Sequence, residues 1–206
     1  MFSRVVYGAR ISLQIGFISV GISLLIGTIL GAIAGFYGKM ADTIIMRVVD
    51  IMLSIPSVLL AIVIASVLGT GMQNLMIAIG ISSVPSYARI VRASILSLRD
   101  QEYIEAARLA GCSDFRIICR HIMPNILAPV IVQVTLSLGL AILNASALSF
   151  LGLGVQAPQP EWGSMLAAGR NYMRQYETFS DRLNPVPVLQ WKKGFMAEEN
   201  AGEMHD

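Results

Sequence analysis

The chain has 206 residues, 55% of them hydrophobic and only 14% charged, with a mean hydropathy of +0.66 and a net charge of +2. Such a composition is far from that of an ordinary soluble domain and points to the membrane class, with a large buried soluble core as the alternative. Between Ile11 and Ala88 the only charged residues are Lys39, Asp42, Arg47 and Asp50, and from Ile122 to Pro160 there are none.

In chain order, four apolar spans are predicted, at 11–36, 43–68, about 75–91 and about 126–148. A spanning helix needs roughly 20 apolar residues, because the hydrocarbon core is about 30 Å thick and each residue rises about 1.5 Å. The breaks carry turn chemistry, "GFYGKMAD" after the first span and "GTGMQN" after the second. Lipid cannot satisfy open backbone groups, and the runs lack the period-two alternation of a membrane barrel, so the expected architecture is all-α, a polytopic transmembrane bundle. The first run is about twice the length of a signal-peptide core and no small-residue cleavage pattern follows it.

Basic residues in the short loops set the orientation. Lys39 and Arg47 flank the first connection, Arg89, Arg92, Arg99, Arg108, Arg116 and Arg120 cluster around the third, and the second has no charge. The first and third connections are therefore assigned to the cytoplasm, against the weaker pull of Arg4 and Arg10 at the other end.

The insert at 97–124 reads as a helix, a tight turn and a helix. Asp100 is the expected cap of a first helix carrying Glu102 and Glu105 in its opening turn, where carboxylates meet the positive end of the helix dipole. This helix runs to Ala110. Gly111 suits the left-handed position that closes a helix, and Ser113 or Asp114 begins a second one that Pro124 ends near Met123. Tyr103, Ala106, Ala107 and Ala110 recur at spacings of three and four, a small-residue face that allows close approach by a partner. On physical grounds alone, a solvated, well-capped loop between spans remains the alternative.

Glycines in "GAIAGFYGKM" lack the spacing of a phosphate-binding loop and are assigned to close helix packing or to ending the first span; "GLG" at 152–154 is too short for a dinucleotide fingerprint. Asp50, two turns into the second span, has Arg47 or Arg89 as its expected partner, with a direct role in the pathway as the alternative. Gln14, Gln133 and Asn144 either line the route or bond between helices. Pro56 and Pro85 are expected to interrupt their spans and kink helices that move during transport. Trp162, in the proline-rich stretch after the fourth span, fits an interfacial anchor. Cys112 and Cys119 match no zinc spacing and are read as free thiols; His121 and His205 lie outside the spans.

Glu105-Ala106-Ala107, then Gly111, then Pro124 after twelve further residues, resembles the EAA signature of permease subunits in binding-protein-dependent ABC importers. His121 and Met123 replace the pattern's Ile and Leu before the proline. "YGARISL", "MRVVDIMLSIPS", "YARIVRASILSLRDQEYIEAARLAG", "RHIMPN" and "ALSFLGLGVQAPQPEWGSML" resemble the dipeptide, oligopeptide and nickel branch of that family, across about residues 3–174. The resemblance implies a passive membrane subunit without its own nucleotide site. ATP and magnesium would sit on partner ATPase subunits that grip the insert through Glu105, Ala106, Ala107 and Gly111. Further implied partners are a second permease subunit, a substrate-binding protein docking near Trp162, and the lipid bilayer of the cell membrane; no nucleic acid and no cofactor in this chain are implied. Di- or oligopeptides are the expected solute, with nickel or another small solute as the alternative.

That branch has a span before the first one here and another after the tryptophan-glycine motif. The expectation is therefore a chain truncated at both ends, even a non-functional copy, with a polar, disordered tail at 175–206. A channel or an intramembrane enzyme is the reading from a different class, and neither a pore filter nor a paired nucleophile and base is evident in the spans.

Overall fold

The bundle starts with a helix longer than any bilayer requires. In the computed structural model, which describes residues 2–155 and 159–169 with side chains from residue 5, α1 (Phe2–Tyr37) runs 36 residues, about 54 Å. It is followed by α2 (Lys39–Leu53), α3 (Ser57–Leu68), α4 (Met72–Leu98), α5 (Glu102–Leu109), α6 (Asp114–Ile117) and α7 (Leu127–Phe150). The chain divides into a unit Met1–Met165, described below, and a unit Leu166–Asp206, of which only the helical residues 166–169 are described. The tail at 175–206 lies outside the described residues. Among the described residues, three helical stretches are long and apolar enough to cross a membrane, and a fourth if α2 and α3 count as one.

They do not form one straight span. The expected helix over 43–68 is broken at Ser54–Pro56 and its two halves are bent by 92°. Proline has no N–H, and its ring collides with the carbonyl four residues back, so the helix stops at Leu53 and restarts after Pro56, which takes an extended ψ of 132°. Apolarity runs straight through the break and hides it. Pro85 behaves otherwise: it is buried inside α4, which continues unbroken around it to Leu98, so the expected interruption there is not found. α4 also extends seven residues past the predicted end of its span and carries Arg92 out of the apolar zone.

α1 and α4 form the closest pair. An added Cβ would lie 2.4 Å from Tyr87 Cβ at Gly27, 2.6 Å from the Ala88 carbonyl oxygen at Gly31, and 3.0 Å from Ile95 Cβ at Gly35. Helices in lipid associate by backbone proximity and van der Waals contact, because lipid tails are as apolar as leucine; small residues every four positions create that proximity. Of the glycines in "GAIAGFYGKM", Gly31 and Gly35 thus serve close packing, and Gly38, at φ +63° between α1 and α2, ends the first span.

Two apolar clusters occupy the bundle. One joins α1, α3, α4 and α7 through Ile15, Ala61, Ala65, Leu75, Ile79, Tyr87, Ala141 and Leu148. The other sits at the basic end, where Ala32 and Phe36 of α1 and Val91 and Ile95 of α4 meet Ile104, Ile117, Ile122 and Ile126 of the insert.

Candidate coupling site

The insert is a packed element, not a solvated loop. Ile104, Ile117 and Ile122 are wholly buried against α1 and α4, and Ile126 nearly so. With Ile104 turned inward, the opposite side of α5 faces out: Tyr103, Ala106 and Ala110 are exposed and Ala107 is half-buried at the margin. Leu109, 90% exposed, and Phe115, 76% exposed, add two large apolar side chains that the described residues leave uncovered. Glu102 and Glu105, both exposed, occupy the first turn of α5 as expected.

The caps differ from the expectation at one end and match it at the other. Gln101, not Asp100, stands at the N-cap, and its carbonyl accepts the N–H groups of Ile104 (2.9 Å) and Glu105 (3.2 Å) without any side-chain cap. Asp100 is drawn back to Arg99 Nε at 3.2 Å. At the C-terminal end Gly111 adopts φ +78°, donates to the Arg108 carbonyl at 3.0 Å, and lets Cys112 N–H reach the Ala107 carbonyl at 3.1 Å. This is the doubled closure of a Schellman motif, and it holds the turn in one shape. Gly152 closes α7 in the same way, with Leu153 donating to Leu148.

Pro124 does not end the second helix. α6 lasts only one turn, Ile118–Ile122 widen to a π-turn in which Met123 N–H bonds the Ile118 carbonyl, and Met123–Ile126 tighten to a 3₁₀ turn that opens directly into α7. Changing register on both sides of a residue without an N–H keeps the chain helical past it. Asn125 braces this junction, donating to the His121 carbonyl at 2.6 Å and to the Tyr103 hydroxyl at 3.4 Å.

Arginines tie the insert to α1. Arg108 Cζ stands 5.2 Å above the Phe36 ring, and Arg99 Nη1 donates to the Gly35 carbonyl at 3.4 Å. Thus Glu105, Ala106, Ala107 and Gly111 share one short, braced element, with exposed Pro124 at its exit. Cys112 is half-buried, Cys119 is exposed, and both are free thiols.

The other predicted positions lie elsewhere. Asp50 pairs with Arg89, not Arg47, at 2.8 Å, and both side chains are about half exposed. Asp42 makes a second, more sheltered ion pair with both Arg92 nitrogens, Nη2 at 2.6 Å from Oδ2 and Nε against Oδ1. Asn144 is half-buried near the far end of α7, apart from Asp50 and Arg89 in the sequence of elements. Gln133 bonds Ser137 of its own helix at 3.0 Å, and Gln14 is exposed on α1.

Sequence reasoning missed Glu161. Its side chain is fully buried; Oε1 accepts Gly163 N–H at 2.9 Å and the Ser12 hydroxyl at 3.5 Å, and Oε2 accepts Ser164 N–H at 2.9 Å. Trp162 adds a bond from Nε1 to the Val5 carbonyl at 3.1 Å, and a Cβ on Gly163 would meet Ser146 backbone at 2.3 Å. The stretch after α7 is therefore clasped to the start of α1. A glutamate standing just before a helix and after two prolines was the available signal, obscured because Ser, Thr, Asp and Asn are the usual caps.

A bundle of apolar helices long enough to cross a bilayer, with a shape-fixed polar element docked at its basic end, defines a multi-pass helical membrane protein. Solved structures share the fold: an inward-facing MetNI methionine ABC transporter chain superposes with a TM-score of 0.64 at 19% identity, covering 89% of this chain and 95% of that one. An amino acid ABC transporter chain superposes at 0.61 with 18% identity, covering 97% and 94%. The chain belongs to the family of binding-protein-dependent transport system inner membrane components, whose model matches residues 27–180. Curated relatives include the dipeptide transport system permease protein DppC of Alkalihalophilus pseudofirmus, 55% identical over 84% of this chain. A di/tripeptide permease DppC of Pseudomonas aeruginosa is 50% identical over 85%, and a glutathione permease GsiD of Pectobacterium atrosepticum 45% identical over 84%. The chain spans 57% to 58% of the length of those relatives.

Proposed function

We propose that the chain is a permease subunit of an ATP-driven importer for di- or oligopeptides. It forms part of the translocation path and receives motion from a cytoplasmic ATPase through the insert, with ATP and magnesium held on that partner. A second permease subunit and an extracytoplasmic substrate-binding protein complete the assembly. The peptide assignment draws on the names of the curated relatives, whose solutes are dipeptides, tripeptides and glutathione. The observation that carries the coupling role is α5 itself: buried on one side through Ile104, closed by Gly111, and offering Tyr103, Ala106 and Ala110 outward. A short helix passes on a rigid-body movement only if its own shape is fixed, and a surface of small side chains lets a groove close on it.

Gly111→Asp is the test. Nothing lies within 4 Å of a Cβ at this position, so the new side chain has room, but the left-handed backbone is strained for it. The variant is expected to insert and assemble normally while ATP hydrolysis proceeds without uptake. Uptake at the parental rate refutes the coupling role of this turn.

A further inference from the structure

α2 exposes two different surfaces. Ile44, Val48 and Ile51 form an apolar strip of the kind that lipid covers, whereas Thr43, Arg47, Asp50 and Ser54, at spacings of four, three and four, form a polar one. α4 continues the polar surface, with Arg89, Ala93 and Ser97 exposed at spacings of four. Arg89 stands between Tyr87 of one apolar cluster and Val91 of the other, within the bundle and not beyond its end. Lipid does not solvate charged and hydroxyl side chains at such a position, so the polar strips face water. The two ion pairs that join these helices are built differently. Asp42 meets Arg92 through two nitrogens, and the side chains are only 21% and 29% exposed, a sheltered fastener. Asp50 meets Arg89 through one hydrogen bond, Nη2 to Oδ1 at 2.8 Å, with 55% of each side chain exposed. Among the described residues, the remaining N–H groups of Arg89 and Oδ2 of Asp50 make no other hydrogen bond, and Arg47, one turn before Asp50 on the same strip, makes no ion pair. An exposed pair of this kind is worth at most about 1 kcal/mol, so exchanging its partners costs little, and the Asp42 pair holds α2 meanwhile.

We propose that Arg47, Asp50 and Arg89 form a subsite for the two termini of a small peptide on the wall of the translocation path. Asp50 receives the α-ammonium, and Arg47 with Arg89 receives the α-carboxylate. Arginine suits the second task, because its planar donors match a carboxylate in pairs. Two cations and one anion, all with hydrogen-bonding capacity to spare, complement a zwitterion, whereas a bare metal cation would meet a surplus of positive charge. Weak attachment suits a path, from which a solute must leave as readily as it enters. The subsite rests on the peptide-importer reading and deepens it, by naming the groups of the solute that this chain holds.

The test uses the assembled, nucleotide-free importer in nanodiscs, with Cys112 and Cys119 replaced by Ser and one cysteine introduced at a time. A charged methanethiosulfonate, which reacts only with thiols in water, is expected to label Ser54→Cys on the polar strip and to spare Ile44→Cys on the apolar one. Millimolar dialanine should slow labelling of Ser54→Cys by roughly half or more, as weak binding on a conducting path would. N-acetyl-dialanine and dialanine amide, each lacking one terminal charge, should slow it far less. Arg47→Gln, which breaks no ion pair and so leaves the fold alone, should remove the protection by dialanine while the unprotected labelling rate stays the same; Asp50→Asn should do likewise. Labelling of Ser54→Cys no faster than of Ile44→Cys, equal protection by blocked and free peptides, or full protection in Arg47→Gln overturns the subsite. Dialanine uptake by the parental assembly in proteoliposomes, with its binding protein and ATP, is measured alongside. Uptake that proceeds while the subsite fails leaves the importer reading intact, and absence of ATP-driven uptake overturns both.

Discussion

Glycine-to-alanine substitution along α1 and α7 separates close packing from helix propensity with a one-carbon change. A Cβ at Gly31 would sit 2.6 Å from the Ala88 carbonyl oxygen and 2.8 Å from Val91 Cβ, where ordinary contact begins at 3.4 Å, so α1 and α4 must part by about 0.8 Å. The obstructing atoms are backbone and Cβ, which cannot rotate aside. Gaps of 0.5 to 1 Å forfeit roughly a quarter to a half of each dispersion contact, and overpacking of this kind costs about 1–3 kcal/mol. Alanine returns up to about 0.5–1 kcal/mol as a better helix former, less in a membrane because the unfolded reference state is already helical. A net loss of about 1–2 kcal/mol is expected for Gly31→Ala, and as much or more for Gly27→Ala, where the nearest atom is Tyr87 Cβ at 2.4 Å. Gly21 and Gly139 have nothing within 4 Å, so Gly21→Ala and Gly139→Ala should be neutral or slightly stabilising. Unfolding of the purified chain in bicelles, followed by steric trapping or SDS titration, reads all four. Equal effects at Gly31 and Gly139 would refute the packing argument.

Two further outcomes follow from the geometry. Glu161→Ala strips acceptors from the N–H groups of Gly163 and Ser164 at a buried helix start. A lost cap and unpaired buried donors together should cost about 2–4 kcal/mol in the same unfolding assay, and proteolysis should increase around 159–165; wild-type protease resistance would count against the clasp. Arg108→Ala and Phe36→Leu, combined in a double-mutant cycle, should show a coupling of about 0.5–1 kcal/mol for an exposed cation over the ring, and additive effects would remove Arg108 as a tie between α5 and α1.

What could be read from the residues was what depends on local chemistry. Gly111 at the turn, the opening of α5 by Glu102 and Glu105, the small-residue face, and the packing glycines all follow from conformational freedom or spacing, and all are found. The misses depend on competition between neighbours. Asp100 was a good cap in isolation, but adjacent Arg99 claims its carboxylate. Pro124 was a good terminator, but a π-turn before it absorbs the missing N–H. Residues 43–68 read as one span because hydropathy is blind to the direction of an axis, while Pro56 turns that axis by 92°. Ile104, the anchor of α5, is not implied by the alanine face, because the spacing of small residues on one side of a helix does not say which residue packs on the other.

The distribution of forces has a consequence for which parts can move. α1 and α4 touch along a line of glycines that tolerates no added atom, and Phe36 with Arg108 and Gly35 with Arg99 extend that contact into the insert. Such close contact is lost steeply with separation, so these elements behave as one body. Charge pairs fall off more gently with distance and tolerate reorientation, and they are the fastening of α2. Steep attractions therefore bind the insert to the core of the bundle, and shallow ones bind the helix beside the break. A pull on α5 should displace α1 and α4 together and α3 with them, because Ala61 and Ala65 are buried in a cluster that α1 and α4 also form, whereas α2 follows through its charge pairs.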